Sequence, residues 1–138
     1  MPDTSPALDG PLRVLVVDAD DRVRESLAGL LAIGDRLTVI GSAGQPGSAF
    51  DLACAQRPDV VIVDPRLPEV DGGLDFIRRL RAADPDVCVL VMGWTDTLET
   101  ALGDGCADGF LRKTFRPAEL ISAIVQATAG RDRPDPDG

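Results

Sequence analysis

Short apolar runs alternate with longer segments of helical spacing along most of this chain. The runs cover residues 13–17, 37–40, 60–63, 87–92 and 109–111. Because they are apolar throughout rather than alternating with polar residues, they are typical of strands buried on both faces. We therefore predict five strands in one parallel sheet.

The segments that follow the runs predict helices. The first helix begins behind Asp20 or Asp21 as N-cap and ends near Gly34. The other four are indicated by apolar positions at helical spacing. These are Phe50, Ala53 and Cys54 within residues 46–57; Leu74, Ile77 and Leu80; Leu98, Ala101 and Leu102 in a short fourth helix; and Leu120, Ile121, Ile124 and Val125 between Pro117 and Gly130.

Strand–helix units that repeat in this order predict an α/β fold, a three-layer sandwich with helices on both faces of the sheet. The two ends of the chain are polar and rich in Pro, Asp and Gly. We expect flexible tails at residues 1–11 and 131–138 around one domain of residues 12–130.

The composition of the chain limits the chemistry that it can perform. The 138 residues carry a net charge of -9 and include no histidine. That charge disfavours direct binding to nucleic acid or to anionic membranes. The absence of histidine excludes imidazole metal ligands, Ser-His-Asp triads and a phosphohistidine on this chain. Lys113 is the only lysine, so a function that needs a lysine has one candidate.

The three cysteines are odd in number and far apart, which is typical of reduced core residues in a cytosolic protein. They are Cys54, Cys88 and Cys106. The chain begins without a signal-peptide pattern, and no apolar run approaches the roughly 18 residues of a membrane span. We therefore expect a soluble, cytoplasmic protein without a membrane partner.

Polar residues follow three of the predicted strands. Asp18 ends the first, Asp64 ends the third, and Lys113 follows the fifth. Ligands in open α/β sheets bind beyond the carboxyl ends of the strands, where we expect these side chains to converge. Close carboxylates favour a hard cation such as Mg²⁺, and a nearby ammonium would neutralise an arriving anion. Phosphoryl transfer needs these parts, and an aspartate can itself accept the phosphoryl group.

At this point the chain resembles the receiver domain of two-component response regulators over residues 12–130. The stretches that carry the resemblance are LRVLVVDADDRVRESL, PDVVIVDPRLPEVDGGLDFIRRLR and GCADGFLRKTFRPAELISAI. The resemblance implies a flavodoxin-like sandwich with strand order 2-1-3-4-5. Because no output domain follows, it also implies a stand-alone receiver.

The resemblance assigns roles to individual residues. Asp64 matches the phosphoacceptor, Lys113 the lysine that contacts the phosphoryl group, and Asp18 one of the acids that organise Mg²⁺. Arg66 matches the residue that gives its backbone carbonyl to the metal, and Phe110 falls on the aromatic switch position. The implied protein is no enzyme beyond weak self-catalysed phosphotransfer and dephosphorylation.

The chain departs from the family pattern at several positions. Ala19 replaces the second acid after the first strand, so we expect weak Mg²⁺ binding, in the millimolar range, unless Asp20 can substitute as a ligand. Met92 is assigned to the switch position where the family has Ser or Thr, and it offers no hydroxyl. Thr114 replaces the proline that follows the lysine. The additional glycine in Gly72-Gly73 is expected to loosen the start of the third helix.

These observations leave three hypotheses for the function. In the first, Asp64 accepts a phosphoryl group from a sensor histidine kinase. The domain then signals to a downstream protein, or forms a homodimer, through the face of the fourth helix, fifth strand and fifth helix. In the second, the domain is a phosphorylation-independent pseudo-receiver, an interaction module that binds its partner constitutively. The third, a flavodoxin-type enzyme, is disfavoured because Asp18 and the two acids of Asp20-Asp21 would repel a flavin phosphate.

Overall fold

The computed structural model describes residues 11–66, 70–93, 107–113 and 116–131. We number the elements within these ranges, so the helix predicted as the fifth is α4. The predicted short fourth helix and nearly all of both predicted tails lie outside the described residues. The elements are β1 Leu12–Val17, α1 Asp21–Leu31, β2 Leu37–Ala43, α2 Pro46–Gln56, β3 Val60–Val63, α3 Val70–Ala83, β4 Cys88–Gly93, β5 Gly109–Arg112 and α4 Pro117–Arg131.

The five strands form one sheet in the order β2-β1-β3-β4-β5, and every neighbouring pair is parallel. This confirms the predicted fold class and strand order. β3 has the predicted bounds, whereas β2 extends three residues beyond its apolar run, to Ala43, and β4 extends by one, to Gly93. These additional residues pair with β1 and β5, and the tertiary pairing extends the strands where the local pattern stops.

Two hydrophobic clusters fill the space between the sheet and its helices. Because successive strand residues point to opposite faces, each strand feeds both clusters. In β1, β3 and β4, the first cluster joins odd-numbered residues such as Val61 and Val91 to α2 and α3. The second cluster joins even-numbered residues of the same strands, such as Ile62 and Leu90, to α1 and α4. Both faces of the sheet are therefore covered, which explains why the central strands β3 and β4 consist of apolar residues.

The helices begin and end largely as predicted. Asp20 caps α1 by accepting hydrogen bonds from the amides of Arg22 and Val23, and Gly34 beyond its end has a positive φ of 84°. α4 runs one residue past Gly130, which was predicted to lie beyond the helix. Within the described ranges, no helix has both the length and the apolar character that a membrane span requires.

The predicted buried side of α2 is partly wrong. Ala53 is buried and Phe50 is partly buried, but Cys54 is exposed. The residue that shares the buried side with Ala53 is Ala49, one helical turn earlier. Of the cysteines predicted to be core residues, Cys88 is buried in β4 as expected, and Cys106 lies outside the described residues.

α3 is held to the sheet at both ends. Near its start, a Cβ added at Gly73 would lie 2.0 Å from the carbonyl oxygen of Pro65 and 2.3 Å from its Cα. Near its end, Arg81 forms a 2.7 Å ion pair with Asp108, and the same carboxylate oxygen accepts the amide of Val89. The additional glycine of this helix is therefore the residue that allows close packing beside Asp64.

We predict that Gly73→Ala lowers the free energy of unfolding by about 2 kcal/mol, because the new methyl group meets backbone atoms that cannot move aside. Urea denaturation measures the change. Gly47→Ala in α2 is the matched control, since its methyl group would meet no atom within 4 Å. Equal stability of the two variants would contradict the close packing of α3 on Pro65.

Candidate functional site

The three charged side chains predicted to converge are the three that are buried among the described residues. Asp18 is 4% exposed, and Asp64 and Lys113 are each 8% exposed. They follow β1, β3 and β5, so they meet at the carboxyl edge of the sheet. Burial of unpaired charge is strongly unfavourable, which makes their mutual pairing a condition of this fold.

Backbone hydrogen bonds continue the pairing of the strands into the residues that follow them. The amide of Asp18 donates to Ala43 on one neighbouring strand, at 3.1 Å. The amide of Asp64 donates to Val17 at 2.9 Å, and that of Lys113 donates to Gly93 at 2.8 Å. Each candidate residue is thus positioned by the strand next to its own.

Lys113 joins the two carboxylates. Its Nζ lies 2.8 Å from Asp18 Oδ2 and 2.7 Å from Asp64 Oδ2. Burial lowers the pKa of Lys113, but the hydrogen bonds and negative charges of Asp18 and Asp64 outweigh it, so the pKa is raised above its ordinary value of 10.5. The lysine is therefore a permanent cation between the two acids at neutral pH.

The remaining carboxylate oxygens accept backbone amides. Asp18 Oδ1 accepts the amide of Asp20 at 2.9 Å, and Asp64 Oδ1 accepts the amide of Arg66 at 3.0 Å. Arg66 therefore lies beside Asp64, as its assignment requires, with an exposed side chain. That its carbonyl is a metal ligand stays a prediction.

The side chain of Asp20 caps helix α1. Its Oδ1 accepts the amides of Arg22 at 2.9 Å and Val23 at 3.4 Å, which makes it the N-cap of α1. Ala19, between Asp18 and Asp20, brings only a methyl group to this loop. Within the described residues, no group of three acidic, cysteine or histidine side chains is arranged to hold a metal ion.

The donors present are nevertheless of the type that Mg²⁺ prefers. Apart from the ammonium of Lys113, Asp18 Oδ2 has no hydrogen-bond partner among the described residues, so it has room for a second cationic partner. Mg²⁺ is commonly bound by one or two carboxylates with water completing the octahedron. Two carboxylates fit such a site, with the position of Ala19 left to water.

Met92 and Phe110 do not face each other. Met92 is 1% exposed and packs in the cluster under α1 and α4, whereas Phe110 packs against the cluster under α2 and α3. Val91 pairs with Phe110 and lies on the same face. Since side chains alternate between the faces of a strand, the last β4 residue on that face is Gly93, two positions after Val91. The structure thus places Met92 away from its assigned switch partner, because Met92 pairs with Leu111 and points to the opposite face of the sheet from Phe110.

Sequence reasoning missed Arg24. Its Nη1 donates to the carbonyl oxygen of Asp18 at 2.7 Å, and its Nη2 pairs with Asp21. Gly44, after β2, leaves the space that the guanidinium occupies. The three-residue spacing of Asp21 and Arg24 predicts their helical ion pair. The reach of Arg24 back to Asp18 depends on the path of the loop, which spacing does not reveal.

Comparison with known proteins agrees with this fold. The family model of the response regulator receiver domain matches residues 14–125. Among curated proteins, the chain is 36% identical over 127 residues to the response regulator MprA of Mycolicibacterium vanbaalenii, covering 91% of this chain and 53% of that protein. It is 35% identical over 122 residues to the response regulator GacA of Pseudomonas aeruginosa, covering 87% and 56%.

Solved structures show the same likeness. A LuxR-family two-component response regulator from Aurantimonas has 31% identity and a TM-score of 0.77, with 92% of this chain and 91% of that chain covered. A response regulator receiver domain protein from Clostridium thermocellum has 25% identity and a TM-score of 0.72, with 87% and 96% covered.

The chain therefore belongs to the response regulator receiver domain family and is a receiver domain of two-component signal transduction. Such domains are generally non-enzymatic signalling modules. The chain spans about half the length of the curated relatives that it matches. That it acts as a stand-alone receiver stays a prediction.

The raised pKa of Lys113 predicts how stability depends on pH. A lysine whose pKa is higher in the folded state stabilises the fold fully below the unfolded value of 10.5. That contribution is lost as the pH rises through the folded value. We expect the midpoint of urea denaturation to fall as the pH is raised above 10.5.

Lys113→Met is the control. Because it leaves Asp18 and Asp64 buried without their counter-ion, it is expected to lose about 3 kcal/mol at neutral pH. Its stability above pH 10.5 should then fall less steeply than that of the unaltered protein. Parallel profiles would contradict a stabilising charge on Lys113.

Proposed function

We propose that this receiver domain accepts a phosphoryl group on Asp64 from a sensor histidine kinase and passes the signal to a protein partner in the cytoplasm. The observation that supports the proposal is the contact of Lys113 with both Asp64 and Asp18 at a buried sheet edge. The geometry provides an acceptor oxygen and a cation side by side.

The chemistry follows from this arrangement. A carboxylate oxygen of Asp64 attacks phosphorus, the phosphorus–nitrogen bond of the donor phosphohistidine breaks, and an acyl phosphate forms. The ammonium of Lys113, already in contact with Oδ2, stays beside the oxygens of the incoming phosphoryl group and offsets their charge. The amide of Arg66 holds the other carboxylate oxygen and so fixes the direction of the acceptor.

Mg²⁺, when bound, would neutralise further negative charge at this edge. We assign it to the carboxylates of Asp18 and Asp64 and to the backbone carbonyl of Arg66. Asp20 is the weaker candidate ligand because its carboxylate already caps α1. With the position of Ala19 lacking a carboxylate, the proposed affinity is weak, in the millimolar range.

The output of the domain differs from the usual hydroxyl–aromatic switch. Neither Gly93 nor Met92 has a hydroxyl that could bond a phosphoryl oxygen. Phe110 remains available as part of a contact surface, since it is only partly buried. We assign recognition of a partner, or of a second copy of the domain, to the face that includes β5 and α4.

A small phosphodonor tests the acceptor directly. We expect acetyl phosphate with millimolar Mg²⁺ to add about 80 Da, one phosphoryl group, as measured by intact mass spectrometry. Asp64→Asn should show no such species, because an amide oxygen is a poor nucleophile.

Both negative outcomes are informative. A modified Asp64→Asn protein would move the acceptor elsewhere. An unmodified wild type, after the same treatment modifies a phosphorylatable receiver in parallel, would reject phosphoacceptor function and leave the phosphorylation-independent interaction module.

Restoring the second acid tests the metal assignment. We predict that Ala19→Asp tightens Mg²⁺ binding about tenfold, because a further charge at about 5 Å contributes on the order of 3 kcal/mol before hydration offsets much of it. Isothermal titration calorimetry measures the affinity. Asp20→Asn is the companion variant, since asparagine keeps the helix cap but removes the charge.

The assignment expects Asp20→Asn to bind Mg²⁺ as the unaltered protein does. Tighter binding by Ala19→Asp together with unchanged binding by Asp20→Asn supports a site built on Asp18 and Asp64. A large loss in Asp20→Asn would instead identify Asp20 as a ligand.

A further inference from the structure

Arg24 lies at the point where β1 enters the site. Its Nη1 donates to the carbonyl oxygen of Asp18 at 2.7 Å, while its Nη2 pairs with Asp21 on α1. The side chain is only 20% exposed although it belongs to the first turns of a surface helix. The guanidinium therefore turns inward, toward the backbone of a functional residue.

With this contact, Asp18 is held from four directions. Its amide donates to Ala43, its carbonyl accepts from Arg24, its Oδ1 accepts the amide of Asp20, and its Oδ2 contacts Lys113. Three of these contacts come from the backbone or from the buried lysine. Arg24 provides the one that depends on a removable side chain outside the site.

Gly44 has the space that Arg24 requires. A Cβ at this position would lie 2.4 Å from Arg24 Nη1 but 3.5 Å from the carbonyl oxygen of Asp18. An alanine there would collide with the mobile end of the arginine and would meet the site backbone only at ordinary contact distance. The guanidinium can therefore be displaced without changing Arg24 itself.

We propose that Arg24 is a positioning residue, which holds the backbone of Asp18 so that its carboxylate meets Lys113 and a cation shared with Asp64. This inference rests on the proposed function. Groups that orient a metal ligand without touching the metal commonly change metal affinity about 10-fold to 100-fold when they are removed. Because position 19 is alanine, Asp18 is the one acid after β1 in the assigned metal site. No second acid there would compensate if the orientation of Asp18 changed.

The test uses two variants and two matched controls. Arg24→Gln removes the charge and the reach of the guanidinium, and Gly44→Ala displaces it. Arg22→Gln on the same helix and Gly47→Ala in α2 are the controls, because Arg22 is exposed and a methyl group at Gly47 meets no atom within 4 Å.

The first readout does not depend on metal or phosphate. Because Lys113 is the only lysine, selective ¹³C labelling of lysine gives one side-chain Cε signal that reports on the site. At constant neutral pH and without metal, we expect this signal to shift in Arg24→Gln and Gly44→Ala and to stay in place in both controls. A role of Arg24 in stability alone would leave the signal of the folded protein unchanged.

The second readout is Mg²⁺ affinity by calorimetry, expected to fall about tenfold in Arg24→Gln and Gly44→Ala and to remain unchanged in the controls. If wild type binds Mg²⁺ and accepts phosphate while both variants match it in both readouts, the role of Arg24 is rejected and the proposed function stands. If wild type accepts no phosphate, the proposed function fails, and the lysine signal alone decides the role of Arg24. Should Arg24→Gln not fold, Gly44→Ala carries the test.

Discussion

The ammonium of Lys113 is the interaction on which the carboxyl edge of this sheet depends. Two aspartates end neighbouring strands in a buried position, and without a cation between them their charges would repel each other at close range. One lysine contacts both, at 2.7 and 2.8 Å, from the end of a third strand. The contact that allows two acids to be buried at this edge of the sheet also places a positive charge beside the proposed acceptor oxygen of Asp64. Stability and proposed chemistry thus depend on one group.

The sheet and its three buried charges could be predicted because both follow from local sequence. Apolar runs identify the strands, and parallel strands bring residues at their carboxyl ends together. The relation of Met92 to Phe110 could not be read in this way, since it depends on the register of β4 against β5, which pairs Val91 with Phe110 and Met92 with Leu111. The roles of Arg24 and Gly73 depend on how closely one backbone passes another, which no periodicity encodes. The exposure of Cys54 was missed because the apolar pattern of α2 is weak.

The departures from the family pattern affect the groups that would bind the metal and couple the phosphoryl group to the aromatic position, and they spare the assigned acceptor and lysine. The residues assigned as acceptor, phosphoryl contact and first acid remain, so the parts that the proposed acyl phosphate requires are present. The second acid and the hydroxyl, which would strengthen metal binding and couple the phosphoryl group to the aromatic position, are replaced by Ala19 and by Gly93 or Met92. Two carboxylates against one ammonium leave a single net negative charge in the buried site. In the proposed function, such a site would attract a cation but would offer it few ligands.

The attachment of α3 at both ends has a mechanical consequence. One end rests against the backbone next to Asp64, and the other is tied through Arg81 and Asp108 to the opposite edge of β4 and β5. A helix fixed in this way behaves as a stiff rod across the sheet rather than as an independent element. A displacement of Pro65 would be transmitted along its length, because the turns of a packed helix compress little. Such a displacement would reach Asp108 and Val89, at the amino ends of β5 and β4, by way of Arg81.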